Sequence, residues 1–158
     1  MAVTIAPEDE ACQAIVARIN AGSGGTYTLP QAATYDYQLV DEMAGVTGLR
    51  VDVIHQDASQ LNETLDTEDR STHYLMIWVR AKLSTVTPAT IAAKMLILRQ
   101  IYQQVNNYNT SNGLVKVWDC GYTDTTDPNR EENPSKKLLL EHGFFKAFIK
   151  LRVEVEAS

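Results

Sequence analysis

The chain has 158 residues, a formal net charge of −6 and an isoelectric point near 5.0. Apolar residues make up 44% of it and charged residues 22%, which excludes a disordered chain. The acidic balance opposes tight binding of nucleic acid, because affinity for phosphate comes mainly from lysine and arginine. No stretch approaches the roughly 20 apolar residues that cross a bilayer, and the first residues lack the order of a secretory signal. We therefore expect one domain over residues 1–158, made and kept in the cytosol without a membrane partner.

A helix is expected over residues 7–20. Pro7 suits the first turn of a helix, and the three acidic residues after it are favourable at the positive end of the helix dipole. A glycine-rich stretch at residues 22–25 then ends the helical pattern. Apolar residues recur along one side of this segment at helical spacing: Cys12, Ile15, Val16 and Ile19.

The next segment, residues 31–46, shows neither a helical nor a strand period. It places Tyr35 and Tyr37 among acidic residues, which is typical of a connecting arm that is only partly packed. The sequence therefore predicts an irregular connection here.

Two strands separated by a long loop are predicted next. Residues 49–54 alternate apolar with charged side chains, the period of a strand with one buried face. Residues 56–70 carry almost no apolar side chains and predict a long, solvent-exposed hairpin loop. Residues 73–83 have apolar or aromatic side chains on both faces, which predicts a central strand covered on both sides.

A second helix is predicted over residues 88–107. Thr87 is suited to cap it, and Pro88 is suited to its first position. The asparagine-rich stretch that follows then breaks the pattern. One apolar stripe runs along this segment: Ile91, Met95, Leu98, Ile101, Tyr102 and Val105.

The last part of the chain predicts two strands, residues 114–122 and 144–156, on either side of a polar loop, residues 123–137. The final strand alternates apolar with mostly charged residues and would extend roughly 40 Å, enough to project beyond its own domain. Together these elements predict an α+β fold. A mixed, largely antiparallel sheet of four or so strands would pack against two α-helices.

The chain shows no catalytic, cofactor-binding or metal-binding motif. His55, His73 and His142 match no spacing of metal ligands, so we expect separate histidines rather than a metal site. Cys12 and Cys120 belong to no cluster and are expected to be small buried thiols. The chain is therefore not expected to be an enzyme, nor to need a cofactor.

Two alternative functions remain open from the residues alone. A metal-dependent hydrolase or nuclease would gather several loop carboxylates beside a histidine. A small-molecule binding module would use Trp78 and Trp118, although aromatic residues on strands more often fill the space between a sheet and a helix.

Three short motifs and the order of the elements carry a resemblance to a known family. The motifs are an acidic aromatic arm (YDYQLVD, residues 35–41), a Gly-Leu-x-Val-x-Val strand (residues 48–53) and the strand HYLMIWVR (residues 73–80) before the second helix. Over most of the chain, this order resembles the tail terminator proteins of long-tailed bacteriophages. The chain departs from that family in lacking a proline after its first strand, where Ile54 and His55 stand, and in a longer polar segment after residue 119.

The resemblance implies a structural virion protein that forms a homohexameric ring, caps the tail tube and joins it to the neck. The implied partners are further copies of the chain, the tail tube protein and a neck or head-completion protein, with assembly in the cytoplasm of the bacterial host. DNA would pass through the ring without tight binding. A head-completion or neck adaptor protein is the alternative within this class.

The polar segments 31–46, 56–70 and 123–137 are expected to reach neighbouring subunits in such a ring. Acidic side chains would suit a lumen that lets DNA slide, although an acidic loop can equally serve to keep a surface soluble. The residues expected at subunit contacts or facing the lumen are Tyr35, Tyr37, Glu63, Asp66, Glu68, Asp69, Arg130 and Glu131.

Overall fold

The computed structural model describes residues 5–36, 48–61, 70–111, 113, 115–123 and 141–156. In chain order the elements are α1 (Pro7–Gly22), β1 (Thr34–Asp36), β2 (Leu49–Leu61), β3 (Arg70–Lys82), α2 (Pro88–Val105), β4 (Val115–Thr123) and β5 (Phe144–Glu156). The five strands form one mixed sheet in the order β1-β2-β3-β5-β4, and both helices pack on one of its faces. This confirms the predicted α+β fold and the central place of β3. The prediction that this strand is covered on both faces is wrong at Tyr74, which is 42% exposed on the face away from the helices. Neither helix of the described residues is long and apolar enough to cross a bilayer.

The face of the sheet towards the helices, which we call the helix face, holds the core. Alternate side chains of β2, β3 and β5 point to this side, because successive residues of a strand point to opposite faces. The register places Val53, Ile77 and Ile149 side by side, and none of the three has exposed surface. Burial of one such side chain contributes about 1.5–3 kcal/mol to folding.

The start of α2 is set by a reciprocal cap. The hydroxyl of Thr87 accepts a hydrogen bond from the amide of Thr90 at 3.2 Å, and the hydroxyl of Thr90 accepts one from the amide of Thr87 at 2.9 Å. Two amides that would lack partners at the helix start are thereby satisfied. The helix ends at Val105, two residues before its predicted end. Its buried side chains belong to the predicted stripe: Met95, Leu98, Ile101 and Val105.

The end of α1 is packed closely against the chain that follows it. A Cβ atom on Gly22 would lie 2.6 Å from the hydroxyl oxygen of Tyr27, so any larger residue would have to displace the Tyr27 side chain. That hydroxyl donates to the carbonyl of Ile19 at 2.6 Å, and burial raises the pKa of Tyr27 to about 12. The two helices are joined where Arg18 Nε donates to the carbonyl of Gln104 at 2.8 Å. With these contacts, α1 ends at Gly22, two residues after its predicted end.

The hairpin formed by β2 and β3 is longer than the sequence predicts. A loop is predicted over residues 56–70, but β2 continues to Leu61, and Leu61 pairs with Arg70 at the start of β3. The prediction is wrong at both ends of that stretch, because backbone pairing between antiparallel strands does not require an apolar face. The pairing register shifts between His55 and Asp57, and such irregularities hide the alternation on which a strand prediction depends.

Two further strands differ from their predictions. The irregular arm predicted over residues 31–46 is wrong at β1, which pairs in parallel with Asp52, Val53 and Ile54 of β2. Three residues are too few for a period to be recognised. β5 does not project beyond the sheet, because all thirteen of its residues pair with β3, which is equally long.

Candidate functional site

A chain of three polar side chains lies on the helix face between β2 and β3. His73 is 1% exposed, and its Nδ1 atom lies 2.9 Å from Nε2 of His55. On its other side, Nε2 of His73 lies 2.6 Å from the hydroxyl of Ser71, which is also buried. The prediction of separate histidines is wrong for this pair, since hairpin pairing brings together residues that are distant in sequence. His142 lies elsewhere, before β5 and beside Glu141.

The histidine pair can hold at most one positive charge in this geometry. With both rings neutral, one ring nitrogen donates across the 2.9 Å contact and the other accepts. With both rings protonated, two N–H groups would face each other. Burial lowers the pKa of His73, the charge of His55 lowers it further, and Glu8 at the start of α1 acts in the opposite direction.

The three side chains have part of the geometry of a nucleophilic site but not its exposure. A hydroxyl 2.6 Å from an imidazole nitrogen is the contact by which a base activates serine in hydrolases. Ser71 is only 7% exposed and His73 1%, so this conformation does not present the hydroxyl to a substrate. Among the described residues, no three histidine, cysteine or carboxylate side chains come together as ligands for a metal ion.

A buried ion pair lies on the opposite side of the sheet, which we call the outer face. Asp52 is 1% exposed, and its Oδ2 atom accepts a hydrogen bond from Nη2 of Arg80 at 2.6 Å. Its Oδ1 atom accepts from the hydroxyl of Thr34 at 2.7 Å and from Nε of Arg50 at 3.2 Å. One carboxylate therefore joins β1, β2 and β3. The sequence does not reveal this ion pair, because alternation alone assigns Asp52 to a solvent-facing side.

The outer face also carries lysines over aromatic rings. Trp78 and Phe148 are direct neighbours across β3 and β5, with ring centroids 5.3 Å apart and planes at 48°. The ammonium of Lys146 lies 4.6 Å from the centroid of Trp78, and that of Lys150 lies 5.6 Å from the centroid of Phe148. These contacts are favourable because the negative face of an aromatic ring attracts a cation placed over it. Neither of the two described helices packs on this face.

Of the residues predicted to contact subunits or the lumen, the structure describes Tyr35 alone. Tyr35 lies in β1, packs partly buried against the core, and donates its hydroxyl to Asp9 of α1 at 3.0 Å. This contact helps to hold the short edge strand against the helix. A role for Tyr35 at a subunit contact remains a prediction. The others lie outside the described residues and also remain predictions: Tyr37, Glu63, Asp66, Glu68, Asp69, Arg130 and Glu131.

Cys12 is a structural thiol, as predicted. It has no exposed surface, and burial raises its pKa to about 12, partly offset by a hydrogen bond with Tyr35. The thiol is therefore protonated at neutral pH and is a poor nucleophile. Cys120 lies in β4.

Solved structures, but no family model or curated protein, are similar to this chain. Among solved structures, a chain from the "virion of native gene transfer agent (GTA) particle" is similar at a TM-score of 0.50 and 16% sequence identity. The alignment covers 94% of this chain and 96% of that one. The two chains therefore share a fold over nearly their whole lengths.

Proposed function

We propose that the protein is a structural component of a phage-like virion, and specifically a tail terminator. The observation that carries the proposal is the fold similarity to a chain of a gene transfer agent virion, which leaves almost no part of either chain unmatched. A comparison limited to one sheet or one helix pair would not support a shared role. The motifs at residues 35–41, 48–53 and 73–80 support the narrower assignment by their resemblance to tail terminators.

In this role, six copies would form a ring that caps the tail tube and joins it to the neck. DNA would pass through the lumen, and an overall charge of −6 suits such a passage because it disfavours tight binding of phosphate. The protein would act by assembly rather than by catalysis. The low exposure of Ser71 and His73 supports this, because catalysis requires a nucleophile that a substrate can reach.

The test is deletion of the gene in the producing host, followed by electron microscopy of the particles. We expect tails of irregular length or tails that fail to join heads, and complementation should restore normal particles. Cryo-electron microscopy of the complete particle should place six copies at the head-proximal end of the tail.

Twelve copies on the head side would instead identify a head-completion or neck adaptor protein. Particles of normal tail length and normal head attachment after deletion would contradict both assignments.

A further inference from the structure

The outer face contains a surface whose chemistry matches another part of the same chain. We define the basic aromatic patch as Trp78, Lys82, Phe144, Lys146, Phe148 and Lys150. Each of its lysines lies over a ring, the third contact being Lys82 over Phe144 at 5.8 Å. The patch has three positive charges and no carboxylate. The nearby Asp52 is neutralised by Arg80 and Arg50.

An acidic segment lies at the opposite end of the same hairpin. Residues 62–69, NETLDTED, join β2 to β3 and carry four carboxylates with no basic residue. The patch and this segment thus have opposite charges, in a chain that is acidic overall. Complementary charge steers association and fixes which surfaces meet.

Most of the basic aromatic patch is too far from the acidic segment of the same copy to contact it. Trp78 is eight residues from the start of β3 at Arg70, which is about 26 Å along an extended strand. A segment of eight residues that leaves and returns to the hairpin end reaches roughly 13 Å at most. Lys146 pairs with Arg80 and Lys82 ends β3, about 33 and 40 Å from Arg70, so the acidic segment can contact these two lysines only on another copy.

We propose that the basic aromatic patch binds residues 62–69 of a neighbouring copy. A contact between two different surfaces of identical subunits is heterologous, and it closes into a ring when the rotation between subunits allows it. The inference deepens the proposed function, because it names the surfaces by which the ring subunits meet. Trp78 and Phe148 supply apolar area, and the lysines supply the specificity for carboxylates.

The test uses charge reversal in the full-length protein. The patch variant is K82E/K150E, which changes two exposed lysines, and the segment variant is D66K/E68K. The control is K94E/R99E, the same change of charge on α2 at the other side of the sheet. Sedimentation velocity measures self-association, and thermal unfolding verifies that each variant is folded.

We expect the wild type and the control to associate equally. Each reversed variant should associate about tenfold or more weakly, because attraction is replaced by repulsion at the contact. An equimolar mixture of the two reversed variants should recover association, since each acidic surface then meets a basic one. Zero-length carboxyl-to-amine cross-linking of isotope-mixed wild type should join residues 62–69 of one copy to Lys82, Lys146 or Lys150 of another.

Three results would overturn the inference. They are a wild type that stays monomeric, a patch variant that associates like the wild type, and a mixture that recovers nothing. If the patch variant associates normally but loses binding to a short DNA duplex, the patch binds nucleic acid and not a second copy. The proposed function is judged separately by the particles, so a six-fold ring with unchanged assembly of K82E/K150E would reject only this inference.

Discussion

The two faces of the sheet are built from the same strands, yet they hold the fold together in different ways. On the helix face, alternate apolar side chains of the strands are buried beneath α1 and α2, and two buried polar side chains, Ser71 and His73, form a hydrogen bond with each other. On the outer face, the carboxylate of Asp52 accepts hydrogen bonds from Arg80 and Thr34 of the neighbouring strands and from Arg50 of its own strand. Lysines lie over aromatic rings on the same face. The helix face stabilises the fold by burying apolar surface. The outer face contributes specific polar contacts and remains partly accessible to solvent.

The largest effect is expected from breaking the buried ion pair. Asp52→Asn should lower the free energy of unfolding by about 3–5 kcal/mol, because the guanidinium of Arg80 would remain buried without its counter-charge. Urea unfolding measures the change. The control is Arg50→Gln, which removes the partner whose side chain is 42% exposed and should cost less than about 1 kcal/mol. Similar losses for the two variants would contradict the claim that the buried Asp52–Arg80 pair stabilises the fold more than the exposed contact of Arg50.

Two adjacent residues of β5 compare the faces directly. Ile149→Ala should cost about 2–5 kcal/mol, because it opens a cavity in a core position with no exposed surface. Phe148→Ala, on the half-buried outer face, should cost less, since it loses partial burial and a ring contact worth about 0.5–1.5 kcal/mol. Denaturant unfolding of the two variants side by side tests the order. An equal or greater loss for Phe148→Ala would mean that this position on the outer face contributes as much to stability as Ile149 on the helix face.

The histidine pair predicts a loss of stability in mild acid. Because the pKa of His73 is lowered in the folded state, the unfolded chain takes up a proton first as the pH falls. The contribution of His73 is therefore complete above its unfolded pKa of about 6.5 and is lost as the pH falls towards the lower folded value.

Unfolding measured at about pH 8 and about pH 5 should show a smaller difference for His73→Asn than for the wild type, because asparagine does not titrate. The matched variant His142→Gln, at an exposed position, should retain the wild-type difference because His73 is still present. An unchanged pH dependence in His73→Asn would contradict the prediction.

The smallest effect is expected from one cation on the outer face. Lys146→Gln should cost about 0.5–1 kcal/mol, because it removes the ammonium that lies 4.6 Å from the Trp78 ring centroid. Lys146→Arg keeps the charge and should restore most of the loss. Thermal unfolding at low ionic strength measures both variants, and equal losses for Gln and Arg would exclude a cation–ring contribution.

Local signals in the sequence were enough for the helices and for β5. Pro7, Thr87 and the apolar stripes act within a few residues, so the bounds of α1 and α2 are predicted to within two residues. The alternation along residues 144–156 predicts the bounds of β5 as they stand in the structure. Each of these elements carries its own signal, independent of its partners.

Tertiary structure alone decided the features that join distant segments. The polar ends of the β2–β3 hairpin and the three residues of β1 become strands because a neighbouring strand pairs with them. The Ser71–His73–His55 chain and the Asp52–Arg80 pair likewise depend on register across strands. Sequence by itself determined the α+β fold class and the helix-facing core, because periodicity is local. The buried polar contacts could not be predicted, because they depend on which strands pair and in which register, and that is determined by interactions between distant parts of the chain.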